Sequence, residues 1–138
     1  MSELPPPSGF VHVEGRGPFT THNGPYFHRP TAAGAEQAFF ALDRHCNGLG
    51  LIHGGMLAAF LDGLLAAAVA RAKEVAPVTM HLSIDFLDMG RAGEWVVGEA
   101  RVLRATSDVA FAEGRVHIRG RDLARASGLF KLMRRRAG

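Results

Sequence analysis

From Val78 to Phe86 the chain alternates, with Val78, Met80, Leu82, Ile84 and Phe86 apolar and Thr79, His81, Ser83 and Asp85 polar between them. A period of two predicts a half-buried strand with its even positions turned inward. The pattern continues through Val96, Gly98, Ala100 and Val102, then Ala110 to Ile118, then Ala124, Ala126, Gly128, Phe130 and Leu132, with polar or basic residues between. Ahead of these strands, the run from His53 to Arg71 is apolar on every side and predicts one long helix beginning at Gly54. Tyr26 to Arg29 and Gln37 to Leu42 read as further strands, giving five or six in all. The links Met89 to Gly93, Thr106 to Asp108 and Gly120 to Asp122 are too short for crossovers, so the four later strands are predicted to pair as an antiparallel meander.

The inward positions of those strands are small: Gly98, Ala100, Ala110, Ala112, Gly114, Ala124, Ala126 and Gly128. The helix is itself rich in alanine. Short side chains on both surfaces let a curved sheet approach one central helix closely. The expectation is an α+β domain over residues 9–138, preceded by a disordered segment 1–8 and ending in a frayed stretch from Arg134 to Gly138. A lone helix of this kind leaves one strip and one sheet edge uncovered. The least elaborate remedy is a two-fold dimer that joins two sheets edge to edge.

At 138 residues the chain is near the usual size of one domain and has a single cysteine, Cys46, which excludes an internal disulfide. The N-terminus carries Pro5, Pro6 and Pro7 where a secretory signal needs an apolar stretch, so a cytoplasmic location is expected. The long helix is not expected to span a membrane, because its apolar run is somewhat short of the usual ~20 residues and is broken by Asp62. The net charge of +3 and pI of about 9.7 raise the question of nucleic acid. Arg115, Arg119, Arg121 and Arg125 fall at strand spacing without interleaved aromatics, and no recognition motif accompanies them, so no nucleic-acid partner is expected.

Asp62 is the only charge between His53 and Arg71. A carboxylate in an apolar helix costs several kcal/mol to desolvate unless it is partnered, and function is the leading reason for keeping one. The second candidate segment, Asn47-Gly48-Leu49-Gly50-Leu51-Ile52-His53-Gly54-Gly55, runs directly into that helix. Gly54 and Gly55 stand where helix amides lack internal acceptors and the dipole adds positive charge, which suits a developing oxyanion. His45, Cys46 and His53 match no standard metal-ligand spacing, so no metal is expected. Gly48-Leu49-Gly50 before a helix lacks the βαβ unit of a dinucleotide site, and no Gly-x-Ser-x-Gly elbow is present.

Asn-x-x-Gly-x-x-His-Gly-Gly with an acidic residue nine positions after the His resembles the hotdog-fold acyl-CoA thioesterases, in particular their PaaI-like, phenylacetic acid degradation branch. Asn23-Gly24-Pro25-Tyr26, His45-Cys46-Asn47, Val78 to Leu87 and Ala124 to Lys131 extend the likeness over most of the chain. The resemblance implies a hotdog fold and hydrolysis of an acyl-CoA thioester in a homodimer or dimer of dimers. It implies no cofactor beyond the coenzyme A of the substrate. Asp62 then acts as general base or nucleophile on the substrate of the neighbouring subunit, the Gly54 amide forms the oxyanion hole, and Asn47 helps hold the water or the carbonyl. Thr79 matches a hydroxyl that bonds the attacking water, and His53 and Gly55 complete the substrate-binding loop, His53 chiefly by fixing the Gly54 amide.

Read without the resemblance, Asn47 is also a normal turn residue in an Asn-Gly pair, and Thr79 a commonplace strand residue. Two other functions share these residues: a hotdog dehydratase or hydratase, and a non-catalytic acyl-CoA-binding or regulatory protein. The chain departs from the family pattern at Asp88-Met89-Gly90, where many members have a small residue and then Pro, at the rim of the pocket.

Overall fold

Small residues facing inward and charged ones facing outward make the chain from Trp95 onward a curved sheet that closes on a single helix. The computed structural model describes residues 3–134 apart from Ala33 and Glu74. The elements are β1 (Val11–His12), α1 (Pro18–Asn23), β2 (Tyr26–His28), β3 (Ala35–Phe40), α2 (Gly54–Lys73), β4 (Ala76–Phe86), β5 (Trp95–Ala105), β6 (Val109–Ile118) and β7 (Arg121–Met133), with one 3-10 turn at Asp43–His45. The seven strands form one antiparallel sheet in the order β1-β2-β3-β5-β6-β7-β4. This is the hotdog architecture expected from the sequence, with a strand count above the expected five or six because the two-residue β1 pairs with β2.

The sheet wraps α2, whose Met56, Leu57, Phe60, Leu61, Leu64, Leu65, Ala68 and Val69 are buried. By length and hydropathy α2 would pass for a membrane span, but here it is the centre of the core. Phe60 packs edge-on against Tyr26 and Phe39 at centroid distances of 5.4 and 4.8 Å. The expected small face lies against the helix. A Cβ added to Gly98 would stand 2.7 Å from Leu64 and 2.9 Å from Phe60, so glycine there sets how near β5 comes to α2.

Two sequence expectations fail, both at β4. The strand does not begin a meander: β4 pairs with β7, and only β5, β6 and β7 are consecutive neighbours. Because β4 and β5 are antiparallel, residues 87–94 stay at one end of the sheet and cross sideways over three strand spacings, about 14 Å. Eight residues span that distance easily at up to ~3.3 Å each. The path is fixed by Leu87 and Asp88 amides donating to the Leu123 carbonyl, by Gly90 accepting from Ile52, and by Gly93 donating to Ala41.

The inward phase of β4 also changes partway. Thr79 pairs with Phe130 and His81 with Leu129, so Met80 is an extra residue in the ladder. After this bulge Leu82 and Ile84 take the inner register opposite Gly128 and Ala126, as the alternation predicts, whereas Phe86, opposite Ala124 and also expected inside, is 55% exposed. Before it the phase inverts, and Val78 and Met80, expected inside, are 51% and 58% exposed.

On the outer face the sequence-clustered arginines meet carboxylates. Arg101 pairs with Glu113, Arg115 with Glu99 and Asp122, Arg121 with Asp88, and Arg125 with Asp85. Of the terminal expectations, Met1, Ser2 and residues 135–138 lie outside the described residues. Within the N-terminal segment the Leu4 carbonyl accepts from the Trp95 indole at 3.2 Å.

Candidate active site

The bulge in β4 decides where Thr79 points. In an unbroken ladder, Leu82 inside would put Thr79 outside. With Met80 looped out, Thr79 shares the inner phase and its hydroxyl donates to Asp62 Oδ1 at 2.6 Å. Asp62 itself is half-buried on α2, on the strip Ala58, Ala59, Asp62, Gly63, Ala66 and Ala67 that the sheet leaves partly open. One carboxylate oxygen is thus held by a neutral donor, and no cation is paired with the group among the described residues.

The second cluster forms where the loop enters α2. His53 caps the helix with its side chain: Nδ1 accepts from the Gly55 amide at 2.7 Å, while its carbonyl accepts from Met56 and Leu57. An acceptor Nδ1 puts the proton of a neutral ring on Nε2. A Cβ on Gly55 would sit 2.9 Å from that Nδ1 and break the cap. The Gly54 amide, one residue earlier, has no acceptor among the described residues, and Phe86 from the exit of β4 lies over its Cα side, 3.5 Å from where a Cβ would be.

Asn47 organises the loop. Its Oδ1 accepts from the amides of Leu49 at 2.9 Å and Leu51 at 3.2 Å, the turn chemistry anticipated for an Asn-Gly pair. Its Nδ2 donates to nothing among the described residues and remains available. The loop is clamped from both sides by bridges between Cys46 and Ile52 and between Leu51 and Arg91.

His45 is a core residue, 2% exposed, with both ring nitrogens used: Nδ1 accepts from the Leu42 amide and Nε2 donates to the Asn23 carbonyl at 2.7 Å. Burial holds its pKa below the ordinary histidine value, and burial likewise pushes the Cys46 thiol up. Among the described residues no three His, Cys, Asp or Glu side chains converge as a metal site.

The candidate residues therefore form two groups. Asp62 and Thr79 are in contact, and His53, Gly54, Gly55 and Asn47 surround the helix start. Asp62 stands eight positions after Gly54 on α2, about 12 Å along the axis at 1.5 Å per residue. A groove of about 610 Å³ on the outer sheet face contains neither group. Sequence reasoning missed Arg16, Tyr26 and Arg44, which line a smaller cavity. They come from three separate segments and share no spacing that could have flagged them.

Comparison with known proteins agrees with this architecture. The Thioesterase superfamily model matches residues 49–125, from the loop before α2 into β7. A candidate esterase of Pseudomonas aeruginosa is 36% identical over 131 residues, covering 91% of this chain and 96% of the relative. Acyl-coenzyme A thioesterase 13 of Mus musculus is 31% identical over 71 residues, 51% of each chain. In three dimensions, a phenylacetic acid degradation-related thioesterase candidate from Ralstonia eutropha superposes with a TM-score of 0.77 at 26% identity, covering 86% of this chain and 92% of that one. The chain belongs to the thioesterase superfamily and is a thioester hydrolase.

Proposed function

We propose that the protein is a cytoplasmic acyl-CoA thioesterase whose active unit is a homodimer, with Asp62 of one protomer acting across the interface from Asn47 and Gly54 of the other. The observation that carries this reading is the separation within one chain. A base must reach the reacting centre directly or through one water, and about 12 Å along α2 is too far for Asp62 and the Gly54 amide to serve one carbonyl. A second copy supplies the missing half. The exposed apolar edge of β4, with Val78, Met80 and Phe86, and the open strip of α2 beside it support the seam there. Two such dimers pairing into a tetramer is the larger assembly.

In this arrangement the thioester carbonyl accepts from the free Gly54 amide and from Asn47 Nδ2. Asp62, its Oδ1 held by Thr79, uses Oδ2 to take a proton from water as the water oxygen attacks the carbonyl carbon. Charge moves onto the carbonyl oxygen, where one preorganised amide donor typically contributes about 3 kcal/mol. The C–S bond then breaks, and the departing thiolate receives the proton from Asp62. If Asp62 is instead the nucleophile, it displaces the thiolate to form a mixed anhydride, and water attack on the Asp62 carbon of that anhydride puts heavy oxygen from labelled water into the Asp62 carboxylate in a single turnover, which general-base catalysis never does. The reaction needs no cofactor beyond the coenzyme A of the substrate.

The test is thiol release from aryl, short-chain and long-chain acyl-CoA. Wild type releases thiol, while Asp62→Ala and Asn47→Ala are each inactive or strongly impaired. Mixing the two variants and allowing subunits to exchange restores part of the rate, since a mixed dimer holds one intact site. Binding of acyl-CoA without thiol release from any substrate would identify a binding protein instead, and failure of the mixture to recover would refute a shared site.

A further inference from the structure

β1 with the turn after it, α1, the start of β2 and the 3-10 turn at Asp43–His45 close on a cavity of about 340 Å³. Arg16 lines it and ties it to α2. Its Nη2 donates to the Gly63 carbonyl at 3.1 Å, and its Nη1 is buried with no acceptor among the described residues. Tyr26, only 4% exposed and held edge-on by Phe60, has a buried hydroxyl that is also unpartnered. Arg44 lines the same space while donating to the His22 and Gly24 carbonyls.

Glu14 is the one carboxylate residue in the lining, and it pairs with neither arginine among the described residues. Neither Arg16 nor Arg44 forms an ion pair among the described residues, and Glu14 at the rim lies 3.5 Å from His12. The groove on the outer sheet face is the opposite case, since its Arg101, Arg115 and Arg125 all face carboxylates. Burial lowers the Arg16 pKa, and burial, partly offset by Arg16 and Arg44, pushes Tyr26 up to about 12, so the phenol remains a donor at neutral pH. An uncompensated buried guanidinium is costly, and a bound anion would return that cost through charge-assisted hydrogen bonds.

We propose that this cavity binds an oxyanion, the carboxylate or phosphate group of a small ligand, met by the Arg44 guanidinium and, once a small side-chain shift opens these two closed-off donors to it, by Arg16 Nη1 and the Tyr26 hydroxyl. Gly63, which Arg16 contacts, follows Asp62 on the open strip of α2. If the thioesterase reading above holds, the anion is thus held by a residue that contacts the neighbour of Asp62 in the chain. It is then either a second carboxylate at the far end of the acyl chain or a free anion that tunes the enzyme.

Calorimetric titration of the full-length protein with inorganic phosphate and with succinate, at ionic strength held constant with chloride, tests the site without reference to catalysis. Saturable binding to wild type is expected, weakened about tenfold or more in Arg16→Gln and several-fold in Tyr26→Phe, which keeps the ring packing. Thermal melting of each variant checks that it folds, and Tyr26→Phe carries the test if Arg16→Gln does not. Thiol release from acyl-CoA chains ending in a carboxylate or in a methyl group then assigns the source. A carboxylate preference lost in Tyr26→Phe or Arg16→Gln places the acyl terminus in the cavity. Equal rates with phosphate binding intact identify a free anion. Absence of saturable binding by wild type, or binding unchanged in both variants, overturns the proposal, whereas absence of any hydrolysis strikes only the thioesterase reading.

Discussion

Thr79→Val removes one hydroxyl while keeping a β-branched side chain suited to the strand. What it breaks is the 2.6 Å bond to Asp62 Oδ1. Hydrogen bonds to charged groups contribute about 1.5–3 kcal/mol where water is excluded. On the open face of a single protomer most of that is screened, so fold stability should change by no more than about 0.5 kcal/mol. In the proposed two-chain site the bond regains its strength and orients the carboxylate during proton transfer. Losing it should lower kcat roughly ten- to a hundredfold with little change in KM, at 1.36 kcal/mol per decade. The assay is steady-state thiol release alongside thermal melting. An Asp62→Ala background sharpens it: if Thr79 acts only through Asp62, adding Thr79→Val there costs nothing more. A folded Thr79→Val with wild-type kcat, or a full additional loss in the Asp62→Ala background, would refute the pairing as the functional one.

Gly54→Ala keeps the amide donor and tests the open approach to it. A Cβ there meets only the Phe86 ring at 3.5 and 3.6 Å, so the variant should fold as well as wild type, or be stabilised by up to about 1 kcal/mol of helix propensity, while losing activity through blocked acyl approach; melting and thiol release separate the two effects. Gly98→Val should behave in reverse, costing about 1–3 kcal/mol in urea unfolding because its side chain would collide with Leu64 and Phe60. Stability should also depend on pH through His45. Its folded pKa lies below the ordinary 6.5 because of burial, so the unfolded chain takes up a proton that the folded chain refuses. The contribution is fully present above pH 6.5 and is lost as pH falls toward the folded value; unfolding curves on either side of 6.5 with an unchanged midpoint would exclude it.

How much of this could be read from the residues depended on how regular each element is. β5, β6 and β7 keep one inner phase over most of their length, with glycine or alanine facing α2 and ion pairs outside, so alternation identified them and their inward faces. β4 carries an extra residue, and a period-two count cannot register an insertion inside a strand. Thr79 was therefore assigned to the outer phase by pattern, although the family resemblance singled it out. The meander failed for a related reason: the short-link argument excludes parallel crossovers but not a sideways passage between antiparallel strands. Asp62 stood out as a lone charge in an apolar run. Arg16, Tyr26 and Arg44 did not, because only the folded chain brings β1, α1 and the Asp43–His45 turn together.

The pairing of β4 with β7 has a consequence for synthesis. Among the described residues β7 is the only strand that hydrogen-bonds β4, and it follows β4, β5 and β6 in the chain, ending at Met133. A chain still on the ribosome can collapse α2 against the earlier strands, yet the segment bearing Thr79 has no ladder until β7 has emerged. Docking of β4 is therefore a late, long-range step. Premature termination before β7 would leave a sticky, unpaired ribbon and no competent centre, a product for proteases rather than a slow enzyme.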